Sequence, residues 1–107
     1  MEINGEIWVK ESSIEQFIVQ DGDILQLGQK YYIRTVTHHY TGRLIQMDDQ
    51  YLVLSDSAWI ADSGRWKEAI GDGILNEVEP YPDQVIVNRH AVCDIAIWNH
   101  ELPREQK

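Results

Sequence analysis

A single cysteine, three prolines and one phenylalanine in 107 residues leave this chain few of the devices that staple or interrupt small proteins. With Cys93 alone, no internal disulfide can form, and the chain is expected in a reducing cytoplasm. The neighbouring Asp94 argues against an activated thiolate, so Cys93 is expected to be a buried structural residue. Long hydrophobic runs are also missing. Stretches such as Tyr51 to Leu54 and Val85 to Val87 are strand-sized, far short of the roughly 20 residues that span a bilayer, and no membrane partner is expected. The first residues carry Glu2 and Glu6 ahead of Lys10 with no apolar core, so no secretory leader is expected. Positive charge is scarce: nine Lys and Arg face eighteen Asp and Glu, a formal net charge of -9, which opposes general binding to phosphate backbones.

What remains suits one globular domain over residues 1–107, with 43% hydrophobic residues and room for one core. Ser12 and Ser13 stand three residues before Glu15 and Gln16, the offset of a capping box, which predicts a short helix over 12–20. Ile14, Phe17 and Ile18 share its apolar face, and Asp21-Gly22-Asp23 ends it. The period then becomes strand-like, and residues 24–61 are expected to form strands one to three. These are a short piece at Ile24–Leu27 with Tyr31–Thr37, a second strand over Tyr40–Met47, and a third over Tyr51–Leu54 that becomes irregular from Ser55. Gly42 inside the second marks a sharp bend or a close backbone approach, and Asp48-Asp49-Gln50 is a tight turn. Residues 62–83 are expected as an insertion, with one or two helical turns after Gly64 and an acidic connection through Glu77, Glu79, Pro80 and Pro82. The last two strands fall within 84–98, and the polar tail 99–107 is expected to be loosely held.

Two stretches carry a family pattern. In Gly42-Arg43-Leu44-Ile45-Gln46-Met47-Asp48 the glycine is followed by a Leu two residues on and an Asp six on, ahead of Tyr51–Leu54. In Val87-Asn88-Arg89-His90-Ala91-Val92-Cys93-Asp94-Ile95 the apolar residues fall at 87, 92 and 95. Together they resemble the two-part motif of the Sm-like family, small barrels that assemble into RNA-binding rings, over most of residues 12–98. The resemblance implies a mainly β, Sm-like or SH3-like, five-stranded bent antiparallel barrel with a short N-terminal helix and an insertion before the last two strands. It also implies a homo-oligomer, possible as a ring, and single-stranded RNA as a partner. Family members that grip RNA use an Asp, an aromatic and an Asn around the first turn and an Arg-Gly pair in the second motif. Here Asp48 fills the first slot, Tyr51 falls where the Asn is expected, and Asn88 and Arg89 replace the Arg-Gly pair. The whole chain is also similar to small proteins of bacteria and their phages, a likeness that assigns no activity.

The RNA contacts this implies are Asp48, Tyr51, Asn88, Arg89 and His90, with Tyr51 stacking on bases and Arg89 near phosphates. Against it, the five Arg and four Lys form no cluster along the chain. No catalytic residue, cofactor or metal is expected. His38, His39, His90, Cys93 and His100 lack ligand spacing, adjacent strand histidines face opposite ways, and Asp48-Asp49 reads as turn chemistry. Trp8, Trp59 and Trp98 are expected in the core, and Trp66, between Arg65 and Lys67, as a partner-facing residue. The final strand, Val92 to Trp98, has Asp94 as its one charge, so both faces are expected to be buried. That makes Val92, Ile95 and Ile97, with Trp66, the candidate self-association surface. The function expected is an oligomeric, non-enzymatic binding module with RNA as ligand. The alternative is a protein-interaction or assembly protein without nucleic-acid binding.

Overall fold

The structure, a computed structural model, describes residues 23–107; the helix expected over 12–20 and Trp8 lie outside them. The elements run β1 (Lys30–Thr35), β2 (His39–Met47), β3 (Tyr51–Asp62), α1 (Trp66–Asp72), β4 (Glu77–Pro80), β5 (Val85–Asn88), a 3-10 turn at Arg89–Ala91, and β6 (Val92–Ile97). All pairings are antiparallel, in the order β4-β3-β2-β1-β6, with β5 also on β3. The 12-residue β3 is the spine of the sheet: β5 pairs with its first part (Tyr51 to Leu54) and β4 with its last (Ala58 to Asp62). β4 and β5 thus divide one strand's worth of pairing, parted by Tyr81-Pro82-Asp83-Gln84. A meander whose last strand returns to the first is the mainly β, bent layout expected from the sequence, with six strands instead of five because β4 and β5 share the length of β3.

The bend has a local cause. β2 and β3 shift register between Thr41 and Arg43, where Asp56 adopts φ 50 and puts an extra residue into β3. Gly42 lies inside this bend. A Cβ there would sit 2.9 Å from Leu54 Cβ and 3.3 Å from Ser57 Cβ, so only glycine allows the strands to approach this closely. The expected close approach is therefore present.

Alternation along the strands builds two cores on opposite sides of the sheet. Tyr31, Ile33, Leu44, Leu52, Leu54 and Val87 fill the barrel, with Tyr40, Val92 and Ile95 packed against them. Tyr32, Ala58, Ile60, Val78 and Trp98 face the other way, where Ala69 of α1, Leu75 and Leu102 of the tail cover them. Trp98 is in the core, as expected, its Nε1 donating to the Glu101 carbonyl at 3.0 Å. Helix α1 stops at Gly73, whose φ of 75 is the left-handed conformation that ends helices, and whose amide donates to the Ala69 carbonyl.

Several expectations are corrected. Ile24–Leu27 is not a strand: the Asp23 carboxylate accepts from the Leu25 amide as a local turn, and the sheet starts at Lys30. Ser55–Ser57 is not irregular, because the bulge at Asp56 lets β3 continue to Asp62. The insertion is not one uninterrupted segment over 62–83, since Glu77–Pro80 joins the sheet and leaves residues 63–76 between β3 and β4 and residues 81–84 between β4 and β5. Pro80 is tolerated there. Tyr81 donates to the Ser57 carbonyl, and alternation then turns the nitrogen of Pro80 away from β3. The tail is not loose. Lys107 exchanges both backbone hydrogen bonds with Val78, and Arg104 donates to the carbonyls of Ser57 and Tyr81. β6 is not buried on both faces: Cys93, Asp94 and Ile97 are exposed, so Cys93 is no core thiol. Trp59 is 37% exposed at the end of the barrel, beside His38, rather than in the core.

Candidate functional site

Residues distant in sequence meet where the β2–β3 turn faces the 3-10 turn. Asp48 Oδ1 accepts from the amides of Gln50 (2.8 Å) and Tyr51 (2.7 Å), and the Asp48 amide donates to the Tyr51 carbonyl, closing the hairpin. Those two amides, with Arg89 as a lesser influence, hold the Asp48 carboxyl below its ordinary value. Across the sheet Tyr51 is the register partner of Asn88. Asn88 Oδ1 accepts from the His90 amide at 2.9 Å and so caps the 3-10 turn.

Arg89 ties the two turns together. Its amide donates to the Gln50 carbonyl at 2.8 Å and its guanidinium to the Asp48 carbonyl at 3.0 Å. The other end of the guanidinium donates to both carboxylate oxygens of Asp23, at 3.0 and 3.1 Å. Asp48, Tyr51, Asn88, Arg89 and His90 therefore share one surface. Tyr51 and His90 are exposed on it, whereas Arg89 is half-buried and turned toward Asp23. Asp23 is the participant that sequence reasoning missed. It lies 66 residues from Arg89, and only its turn chemistry was visible. Beside this surface, Met47, Asp48, Asp49 and Gln50 line a shallow cleft of about 440 Å³. The local balance is acidic, so a ligand would find an aromatic ring, an imidazole and turn polar groups rather than a row of cations.

Trp66 belongs to another cluster, across the sheet. Its ring meets Tyr32 edge-on with centroids 5.0 Å apart, and the Arg34 guanidinium lies 4.7 Å over it. Arg34 pairs with Asp94 of β6, and the ring remains 40% exposed. Tyr32 Oη lies 2.8 Å from His39 Nδ1. Burial pushes the Tyr32 phenol up to about 12, so it stays protonated, and burial followed by Arg34 lowers His39 below its ordinary value. Of the remaining candidates, Val92 and Ile95 pack against the barrel core, while Ile97 is exposed at the sheet edge. The RNA-contact candidates thus share one surface, whereas the expected self-association set is split: Trp66 stands on the Tyr32 side of the sheet, Val92 and Ile95 on the barrel side, and Ile97 at the edge.

No family model matches the chain, and no curated protein matches it. Among solved structures, a heptameric archaeal Sm protein is similar in fold. It is 19% identical, with 66% of this chain and 87% of that chain covered and a TM-score of 0.49.

Proposed function

We propose that this chain is a non-enzymatic, self-associating binding module of a reducing cytoplasm that presents the Tyr51–His90 surface to single-stranded RNA. The observation that carries the assembly is a pair of uncovered strand edges. The Trp98 amide donates to the Lys30 carbonyl, so alternation turns the backbone groups of Ile95 and Ile97 outward from β6. The Arg89 amide donates to the Gln50 carbonyl, which by the same rule turns those of Ile86 and Asn88 outward from β5. Ile97 and Ile86 are exposed on these edges. Among the described residues nothing pairs with either edge, whereas the outer side of β4 is closed by Lys107. Joining β6 of one copy to β5 of the next is a head-to-tail contact, which closes into a ring or smaller oligomer when the rotation allows.

Repetition is what makes a weak RNA surface useful. One Tyr51 stacking on a base contributes little, but identical turns around an assembly raise the effective concentration of every further contact. The net charge of -9 requires the affinity to come from stacking and polar contacts more than from phosphates. The test combines light scattering on the wild-type chain and Ile97→Lys with titration of labelled oligo-A and oligo-U at low and moderate salt. Assembly lost in Ile97→Lys and binding weakened by Tyr51→Ala are expected. A monomer at micromolar concentration would refute the assembly. Absence of binding at low salt would leave an assembly or protein-interaction role, and binding untouched by Tyr51→Ala and Arg89→Ala would remove this surface.

A further inference from the structure

Positive charge, scattered along the sequence, is gathered by the fold in one cleft. Lys30 at the start of β1 and Arg43 in β2 are direct cross-strand partners, and Arg104 arrives from the tail. With Asp56, Glu101 and Leu102 they line a depression of about 360 Å³, away from the Asp48–Arg89 surface. Like charges placed opposite one another across a sheet repel. Carboxylates are plentiful among the described residues, yet the ion pairs there are Arg34–Asp94 and Arg89–Asp23, elsewhere.

The three cations are instead aimed by carbonyls. Lys30 Nζ donates to the His100 carbonyl, Arg43 to Gly28 at 2.7 Å, and Arg104 to Ser57 and Tyr81 at 2.8 and 2.9 Å. A carbonyl fixes the direction of a guanidinium or ammonium group without cancelling its charge, and each group has further N–H donors. Such a cleft is organised for an anion before one arrives. Asp56, held at φ 50 by the bulge in β3, and Glu101 stand in the same lining and take part in neither of those ion pairs.

We propose that this cleft binds a small phosphate monoester that carries hydroxyl groups. Arg43, Arg104 and Lys30 meet the phosphate oxygens, for which the guanidinium fork is the matching donor. Asp56 and Glu101 accept from the hydroxyls. The size suits a small ligand, and the overall negative charge disfavours a long polyanion at the same place.

Amide-resolved NMR titration at low salt tests it, with inorganic phosphate, ribose phosphate, ribose and a short oligo-U as probes. Shifts are expected around residues 28–31, 43–44, 55–57 and 101–104 with both phosphate compounds, tighter for ribose phosphate and absent for ribose. Saturation is expected between about 0.1 and 10 mM. Arg43→Gln, an exposed position, should keep the wild-type spectrum elsewhere and weaken ribose phosphate by about tenfold, close to 1.4 kcal/mol. Glu101→Gln should erase the preference for ribose phosphate over inorganic phosphate. No shifts in the cleft at the top of that range, shifts insensitive to Arg43→Gln, or a response to oligo-U alone would each overturn the proposal.

Discussion

Replacing Gly42 with alanine puts one methyl group where the bent hairpin has no space. The added carbon would lie 2.9 Å from Leu54 Cβ, 3.2 Å from Leu54 Cδ1 and 3.3 Å from Ser57 Cβ. The first and last of these atoms are fixed to the β3 backbone, so rotating a side chain cannot relieve them. Gly42, Leu54 and Ser57 are all buried, so the strain is shared by the barrel rather than released at the surface. Overpacking of this kind costs about 1 to 3 kcal/mol. For a domain near this size each kcal/mol moves the melting temperature by about 4 to 8 °C, so a cost of about 2 predicts a fall of about 8 to 16 °C. The assay is urea and thermal unfolding followed by tryptophan fluorescence at a fixed protein concentration, because self-association would make the midpoint concentration-dependent. Gly71→Ala is the internal comparison. Its Cβ meets nothing within 4 Å and it lies exposed in α1, so it should stabilise by about 0.5 to 1 kcal/mol. If Gly42→Ala unfolds within about 0.5 kcal/mol of wild type, the range expected of an innocuous surface change, the close approach of β2 and β3 does not constrain the barrel.

Arg89→Ala should cost about 2 kcal/mol in urea unfolding, because it removes charge-assisted hydrogen bonds to Asp23 and the tie to the Asp48 carbonyl; Arg89→Lys should recover only part of this. Trp98→Ala should cost about 3 to 5 kcal/mol by emptying the centre of the second core, and loss below about 1 kcal/mol would contradict its place there. His39 titrates in the fold below its unfolded value of 6.5, so the unfolded chain takes up the proton first as pH falls. Its contribution to stability is complete above that value and is lost as pH drops through the folded value. Thermal midpoints measured between about pH 7.5 and 5 should decline, and His39→Gln should flatten that part of the profile.

The strands around Asp48 could be read in advance because their cues are local. Asp48 satisfies the amides of its own turn, and a glycine amid β-branched and aromatic residues signals where two backbones come together. The same locality misled at Ser55 and Pro80. A polar triplet suggested the end of a strand that a single bulged residue carries onward, and a proline was tolerated because its nitrogen lies on the unpaired side. The Asp48–Arg89 surface was half legible. Its five residues could be named from their motif spacing, but the inward aim of Arg89 depends on Asp23, and no periodicity relates those two. The second core was hidden for a related reason. Ala69-Ile70, Ile74-Leu75 and Leu102 are short apolar pieces in otherwise polar stretches, and they acquire meaning only when α1 and the tail close over Tyr32 and Trp98. Cys93 was misplaced because a free cysteine usually prefers the interior, whereas here it falls on the outward side of a strand at the edge of the sheet.

The presence of a core on each side of the sheet changes what determines strand register. A strand with one wet face announces a misaligned pairing at once, since a slip of one residue brings its apolar side chains into water. β1 buries Tyr31, Tyr32 and Ile33 in succession, so such a slip would exchange one apolar contact for another. The penalty for misalignment lies instead in steric fit, where a neighbour of Gly42 would bring a Cβ against Leu54. The pairing is therefore proofread by one missing methyl group, and a chain that lost it would be expected to populate several alignments, each with an open strand edge exposed to aggregation.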